Sequence, residues 1–274
     1  MTDSDLRSVS PCYQGESTPG ERRPLPVMSN SHSAYCGYRD YLVLETLLDV
    51  QKPLTEQHDE LLFVVVHQSH ELWFKELLHE LDALQVTLCK ADSGPALRTL
   101  RRIRAIFRAL TAQIDVLETM TADQFDTFRD QLVGSGFYSA QFREIEVVLG
   151  RRDGTAADYF PEGSRERARI EARADEPTLF DAFLGYLDAK GYSPHDLPSA
   201  LHDLHSDDGV VEQICQGLVD LDQAFQEWQY RHVVLVQRMI GNKIGTGGTA
   251  GAEFLRKAIF TPSFPALWQA RHGE

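Results

Sequence analysis

The sequence predicts an all-α protein, and two observations carry that reading. Apolar residues recur at spacings of three and four through most of the chain from Tyr38 onward, the period of a helix with one buried face. Period-two alternation is scarce. Val64 to Val66 and Val233 to Val236 come nearest to it, and each is embedded in a longer helical pattern. No sheet is expected.

The first thirty or so residues are rich in Ser, Pro and Gly and poor in periodic apolar positions. They read as a flexible arm, residues 1–33, either mobile or ordered only against a partner subunit. Residues 34–274 read as one helical domain. Helices are expected over 39–51, 58–91, 94–120, 121–132, 137–150, 177–190, 209–240 and 250–260, each resting on the helical apolar period. The 58–91 segment carries Phe63, His67, His70 and Phe74 at i, i+4, i+7 and i+11. The 209–240 segment carries Phe225, Trp228, His232, Leu235 and Met239 in the same way. The charged stretch from Arg151 to Glu176 and the Pro, Gly, His and Asp mixture of 191–208 read as surface connections.

Composition removes several function classes. With 27 Lys and Arg against 41 Asp and Glu, the formal net charge of −14 repels a phosphate backbone. The cluster Arg98, Arg101, Arg102, Arg104 and Arg108 has helical spacing and no interleaved aromatics, so it reads as a solvated helix face. Nucleic acid is not an expected partner. The longest apolar run, Leu61 to Val66, is too short to span a bilayer, and the N-terminus lacks a signal-like apolar stretch. Four scattered cysteines form no CxxC pair, which suits a reducing compartment and a cytoplasmic location.

His67 and His232 sit on apolar stripes of two separate long helices. Either one alone reads as a satisfied core histidine. Together they suit a cofactor held between facing helices, where a single axial histidine is a normal way to hold haem iron. A di-iron carboxylate bundle needs two inward Glu-x-x-His pairs, and the chain has one, Glu76 with His79. His67, His70 and Glu71 do not follow the order of a zinc protease helix. The stretch from Gly245 to Gly251 formally matches a dinucleotide fingerprint, but it follows a helix and lies in no βαβ unit. It reads either as a plain connection or as a loop whose Thr246 meets a small polar substrate. Arg129 reads either as a surface residue paired with Asp126 or Asp130, or as a fork for a substrate carboxylate.

Five blocks then carry a resemblance: YRDYLVLETLLDVQKPL from Tyr38, HDELLFVVVHQSHELWFKELLHELDAL from His58, FRDQL with SGFYSAQFREIE from Phe128, WQYRHVVLVQRMIG from Trp228, and GTGGTAGAEFL from Gly245. In that order they resemble the tryptophan 2,3-dioxygenase family. The resemblance implies a haem-binding helical bundle, assembled as a homotetramer, that adds dioxygen to the indole ring of tryptophan with haem b as cofactor. It makes His232 the axial ligand of the haem iron and His67 the distal histidine near the indole nitrogen. Phe63 and Phe125 become pocket walls, with Phe142 a further lining residue, and Arg129 the carboxylate clamp. Thr246 becomes the loop residue at the ammonium or carboxylate and Ser135 a distal hydroxyl. Tyr38 and Tyr41 become residues lent to the neighbouring subunit's site.

The chain departs from the family pattern in three places. It is one residue shorter and lacks a proline between Arg129 and Gly136, with Tyr138 where glutamine is expected. Thr249 and Ala250 replace paired serines, and an insertion before the Leu218 to His232 helix is truncated. Two alternatives follow: insertion of one oxygen atom into tryptophan or β-methyltryptophan to give a 2-oxindole or hydroxylated product, and a non-catalytic haem sensor or carrier.

Overall fold

The computed structural model describes residues 37–132, 139–152, 156–205, 209–241, 243 and 261–269. Every regular element among them is helical. The chain divides into two compact units, residues 1–49 and 50–274.

The described part of the first unit holds α1 (Tyr38–Tyr41) and α2 (Leu44–Asp49). One helix was expected over 39–51. The chain breaks at Leu42 and Val43, where Val43 adopts φ +52°, a left-handed conformation that β-branched residues seldom take. Neither short helix buries a residue. Helices this short are marginal without a packed face, and nothing here holds a single one together.

The second unit is built on three long helices, α3 (His58–Cys89), α4 (Ser93–Leu117) and α10 (Val210–Ile240). Helix α4 packs against both α3 and α10. Its stripe of Leu100, Ile103, Phe107, Leu110 and Ile114 is buried between Leu77, Leu81, Leu84 and Leu88 of α3 and Ile214, Leu218, Leu221 and Phe225 of α10. At Gly217 an added Cβ would lie 2.9 Å from Leu100 Cδ1, so α10 comes as close to α4 as its backbone permits. The basic cluster rides on the outer face of α4. Arg102 pairs with Glu80 of α3 at 2.6 Å, and Arg104 pairs with Asp220 of α10.

Shorter helices close the ends. α5 (Ala122–Arg129) and α8 (Leu179–Ala189) start on capping boxes, Thr121 with Gln124 and Thr178 with Asp181, and α6 (Ala140–Val148) starts on Ser139. Glu60, buried at the start of α3, accepts from the Leu54 and Thr55 amides and the Thr55 hydroxyl and fixes the approach to that helix. The expected helix over 250–260 lies outside the described residues.

Two expected surface connections contain helices instead. Within 151–176, α7 (Arg165–Asp175) packs on α6 through one apolar anchor, Ile170. Its charges pair inward: Arg173 grips both carboxylate oxygens of Asp82 at 2.7 and 2.8 Å, and Arg169 meets Glu144 at 2.6 Å. A helix held by ion pairs leaves little apolar period to read. Within 191–208, α9 (Leu197–His205) buries Ala200 and Leu201 among its described side chains. Last comes α11 (Pro265–Gln269), tied to α10 by the wholly buried Asp222. That carboxylate accepts from the Ser263 and Phe264 amides and from Trp268 Nε1.

Candidate active site

Two imidazoles on α3 have their tautomers set by the helix itself. His67 Nδ1 lies 2.7 Å from the Phe63 carbonyl and His70 Nδ1 lies 2.9 Å from the Val66 carbonyl. A carbonyl only accepts, so each ring donates from Nδ1 and each neutral ring leaves the Nε2 lone pair available. Phe63 lies under His67 with ring centroids 3.9 Å apart. Phe125 and Phe128 of α5 complete a wall, each 5.7 Å from Phe63 and edge-to-face with one another at 5.4 Å. The wall offers an indole-sized ring purely apolar contact.

On α10 the Trp228 ring lies parallel to the His232 ring, 5.6 Å away at 6°. Trp228 also meets Phe74 edge-on at 5.7 Å, Phe142 at 5.3 Å and His70 at 6.2 Å. Trp228, Phe74 and Phe142 therefore form a floor that bridges α3 and α10, and Phe142 belongs to that floor. Burial pushes the His232 imidazole down to about 4, with His67 and His70 acting in the same direction. His70 is likewise pushed down to about 4 by burial, against the pull of the Val66 carbonyl, and burial also lowers His67. All three imidazoles are held neutral, and His70 and His232 both lie against the Trp228 ring.

Chemically, this donor set suits a flat, iron-bearing macrocycle better than a bare ion. Among the described residues no three His, Cys, Asp or Glu side chains lie close enough to hold a metal ion. His79 of the rival Glu-x-x-His pair is exposed. A neutral imidazole from α10, another from α3 and the aromatic rings beside them are groups that would suit a haem, with His232 as the residue that would hold its iron. The buried Trp228 Nε1, which has no partner among the described residues, adds a polar group at the floor.

Arg129 ends α5 with its side chain only 13% exposed, 4.0 Å from Asp126. Asp126 also receives Lys243 Nζ at 2.5 Å, which ties the chain just beyond α10 to α5. Thr246 comes three residues later; it and Ser135 lie outside the described residues. So do Tyr138, Thr249 and Ala250. Tyr38 and Tyr41 sit on α1 of the first unit, each 75% exposed. The structure thus brings together His67, Phe63, Phe125 and His232, with Arg129 on the same short helix as Phe125. Sequence reasoning missed Phe128 and Lys243. The Phe125 and Phe128 spacing of three on an amphipathic turn could have shown the first; nothing local marks the second.

The depressed histidines give a pH dependence. Between pH 6.5 and about 4 the unfolded chain takes up protons that folded His70 and His232 refuse. Their contribution is therefore complete above 6.5 and is lost as pH falls through that window. Urea titrations of the haem-free protein should show stability declining by roughly 3 kcal/mol per imidazole. A flat profile from pH 7 to 5 would mean that the rings are solvated.

Comparison with known proteins points to one family. The profile of the family described as "Tryptophan 2,3-dioxygenase" matches residues 26–179 and 204–272. The segment between those stretches holds most of α8 and part of α9. A protein named tryptophan 2,3-dioxygenase from Anaeromyxobacter sp. (strain K) is 46% identical over 258 residues, covering 88% of this chain and 97% of the relative. Namesakes from Herpetosiphon aurantiacus and Nocardioides sp. are 44% and 40% identical. The first covers 85% of this chain and 96% of the relative, the second 89% and 97%.

Proposed function

The chain belongs to the tryptophan 2,3-dioxygenase family, and on that footing we propose that it oxidises L-tryptophan or a substituted tryptophan to the corresponding N-formylkynurenine. The observation that carries the reading is the set of aromatic contacts that joins His67 to Phe63, Phe125 and Phe128 on one side and His70, Phe74 and His232 to Trp228 on the other. The net reaction breaks the indole C2–C3 bond and leaves one oxygen atom on each carbon. Haem b, whose iron His232 would hold, would supply the binding and activation of dioxygen.

The protein's own side chains supply placement. His67 Nε2, free of the backbone, accepts the indole N–H. Phe63 and Phe125, with Phe128 behind them, hold the ring plane and keep water away from it. Arg129 takes the substrate carboxylate bidentately, and Thr246 and Ser135 add polar contacts. None of these groups has to change protonation to bind a zwitterionic amino acid at neutral pH.

Among the described residues no helix is long and apolar enough to cross a membrane, which suits a cytoplasmic enzyme. The assembly we infer is a homotetramer in which Tyr38 and Tyr41 complete a neighbour's site. Their exposure in a single chain supports that reading. Light scattering should give at least a dimer, and an active monomer would exclude shared sites.

The reaction itself is tested with labelled dioxygen. Ferrous enzyme loaded with tryptophan, and separately with β-methyltryptophan, should give N-formylkynurenine-type product carrying two labelled atoms. Gain of one atom only, with a 2-oxindole as product, would replace the proposal with single-atom insertion.

A further inference from the structure

His70 has no part in the chemistry described above, yet it is built into the floor of the site. Its Nδ1 proton is committed to the Val66 carbonyl at 2.9 Å, so Nε2 carries a lone pair. Across from it stands Trp228 of α10, 5% exposed, whose Nε1–H is buried and has no hydrogen-bond partner among the described residues. The two rings lie 6.2 Å apart between centroids and tilted by 43°. Each ring is held in place by other aromatics: His70 meets Phe74 edge-on at 6.0 Å, and Trp228 meets Phe74 and Phe142. The arrangement sets an indole donor and an imidazole acceptor on two different helices, with no direct bond between them.

We propose that Trp228 Nε1–H and His70 Nε2 share one bound water molecule, and that this bridge fixes the indole plane against which the His232 ring is stacked. The water accepts from Trp228 and donates to His70, so the one N–H of the pair and the one lone pair are both satisfied. An indole N–H left unpaired in this apolar floor is costly, and a bridging water serves nearly as well as a direct hydrogen bond. A direct ring-to-ring bond is not made, and Phe74 and Phe142 bring no hydrogen-bonding atom. His70 is a positioning residue on this account. It acts through Trp228 on the azimuth of His232, and its importance for turnover rests on the reading that His232 holds haem.

The test reads the indole proton itself. Holoprotein in the ferrous carbonyl form is labelled with nitrogen-15 at its three tryptophan indoles, and Trp228→Phe assigns the Trp228 signal. The Trp228 N–H is expected at low field, exchanging magnetisation with a long-lived water. In His70→Leu it should move towards a free indole, and in His70→Gln, whose amide oxygen can accept, it should return. Trp73 and Trp268 serve as unmoved controls. The iron–histidine stretch of the ferrous protein should shift in His70→Leu and recover in His70→Gln. An unchanged Trp228 N–H in His70→Leu would mean that another group, such as a carboxylate of the prosthetic group, accepts it, and the proposal falls. Should His70→Leu fail to hold haem, the water contact in the unaltered protein decides, and its absence overturns the bridge. A chain that binds no haem at all would overturn the reading of His232, while the Trp228 proton would still report on the bridge.

Discussion

Replacing His232 with alanine should abolish the absorbance of bound haem and, with it, all turnover. The imidazole has no hydrogen bond within the described protein, is stacked flat on Trp228, and is kept neutral by burial. Its lone pair is therefore ready for iron without a protonation cost above about pH 5. Loss of groups that merely orient a ligand lowers metal affinity about 10–100-fold, and loss of the ligand itself should exceed that. Helix α10 should survive, because the core of α4 and α10 lies upstream at Ile214, Leu218, Leu221 and Phe225. Free imidazole added to the variant should restore part of the spectrum by filling the space left by the side chain. A variant with an unchanged Soret band and full haem content would remove His232 as the ligand and the reading built on it.

The second large effect is expected at Arg129. Its side chain is seven-eighths buried, and its carboxylate neighbour, Asp126, lies at the limit of ion-pair range and is shared with Lys243. A substrate carboxylate would compete well for the guanidinium, whose planar fork makes two parallel bonds. Truncating one partner of such a pair costs about 2–5 kcal/mol, so Arg129→Ala should lower kcat/KM by about two to three decades. The haem spectrum should not change. Arg129→Lys should recover little, because an ammonium cannot reproduce the bidentate fork. A loss below about fivefold would return Arg129 to a structural role with Asp126.

The three long helices were readable in advance because each has a wide apolar face, and an amphipathic period survives translation into structure when burial decides. His67, Phe63 and His232 were visible for the same reason: they lie on those faces. Helices α7 and α9 were hidden by the converse. Ile170 is the only buried residue of α7, and its stability is carried by Arg173 with Asp82 and Arg169 with Glu144, pairs formed with distant parts of the chain. The break between α1 and α2 was illegible too, since periodicity there promised a face that neither helix buries. Arg129 shows the limit at a site. Sequence left it between surface and pocket; burial alone moved it inward, through the packing of Phe125 and Phe128 of the same short helix against Phe63.

The Asp222 carboxylate has a consequence for how this family member can vary. The chain leaves α10 at Gly241 and is pinned back to the same helix at Ser263, Phe264 and Trp268. The segment between has both ends tied to one helix, and Thr246 comes five residues after Gly241 in sequence. The entropy of joining two fixed ends grows only with the logarithm of the length of chain between them, so even doubling it costs about 0.6 kcal/mol. Changes of length and composition beyond α10, such as Thr249 and Ala250, are therefore thermodynamically cheap as long as Asp222 holds. Substitutions there leave α10, the helix of His232, packed on α4 as before.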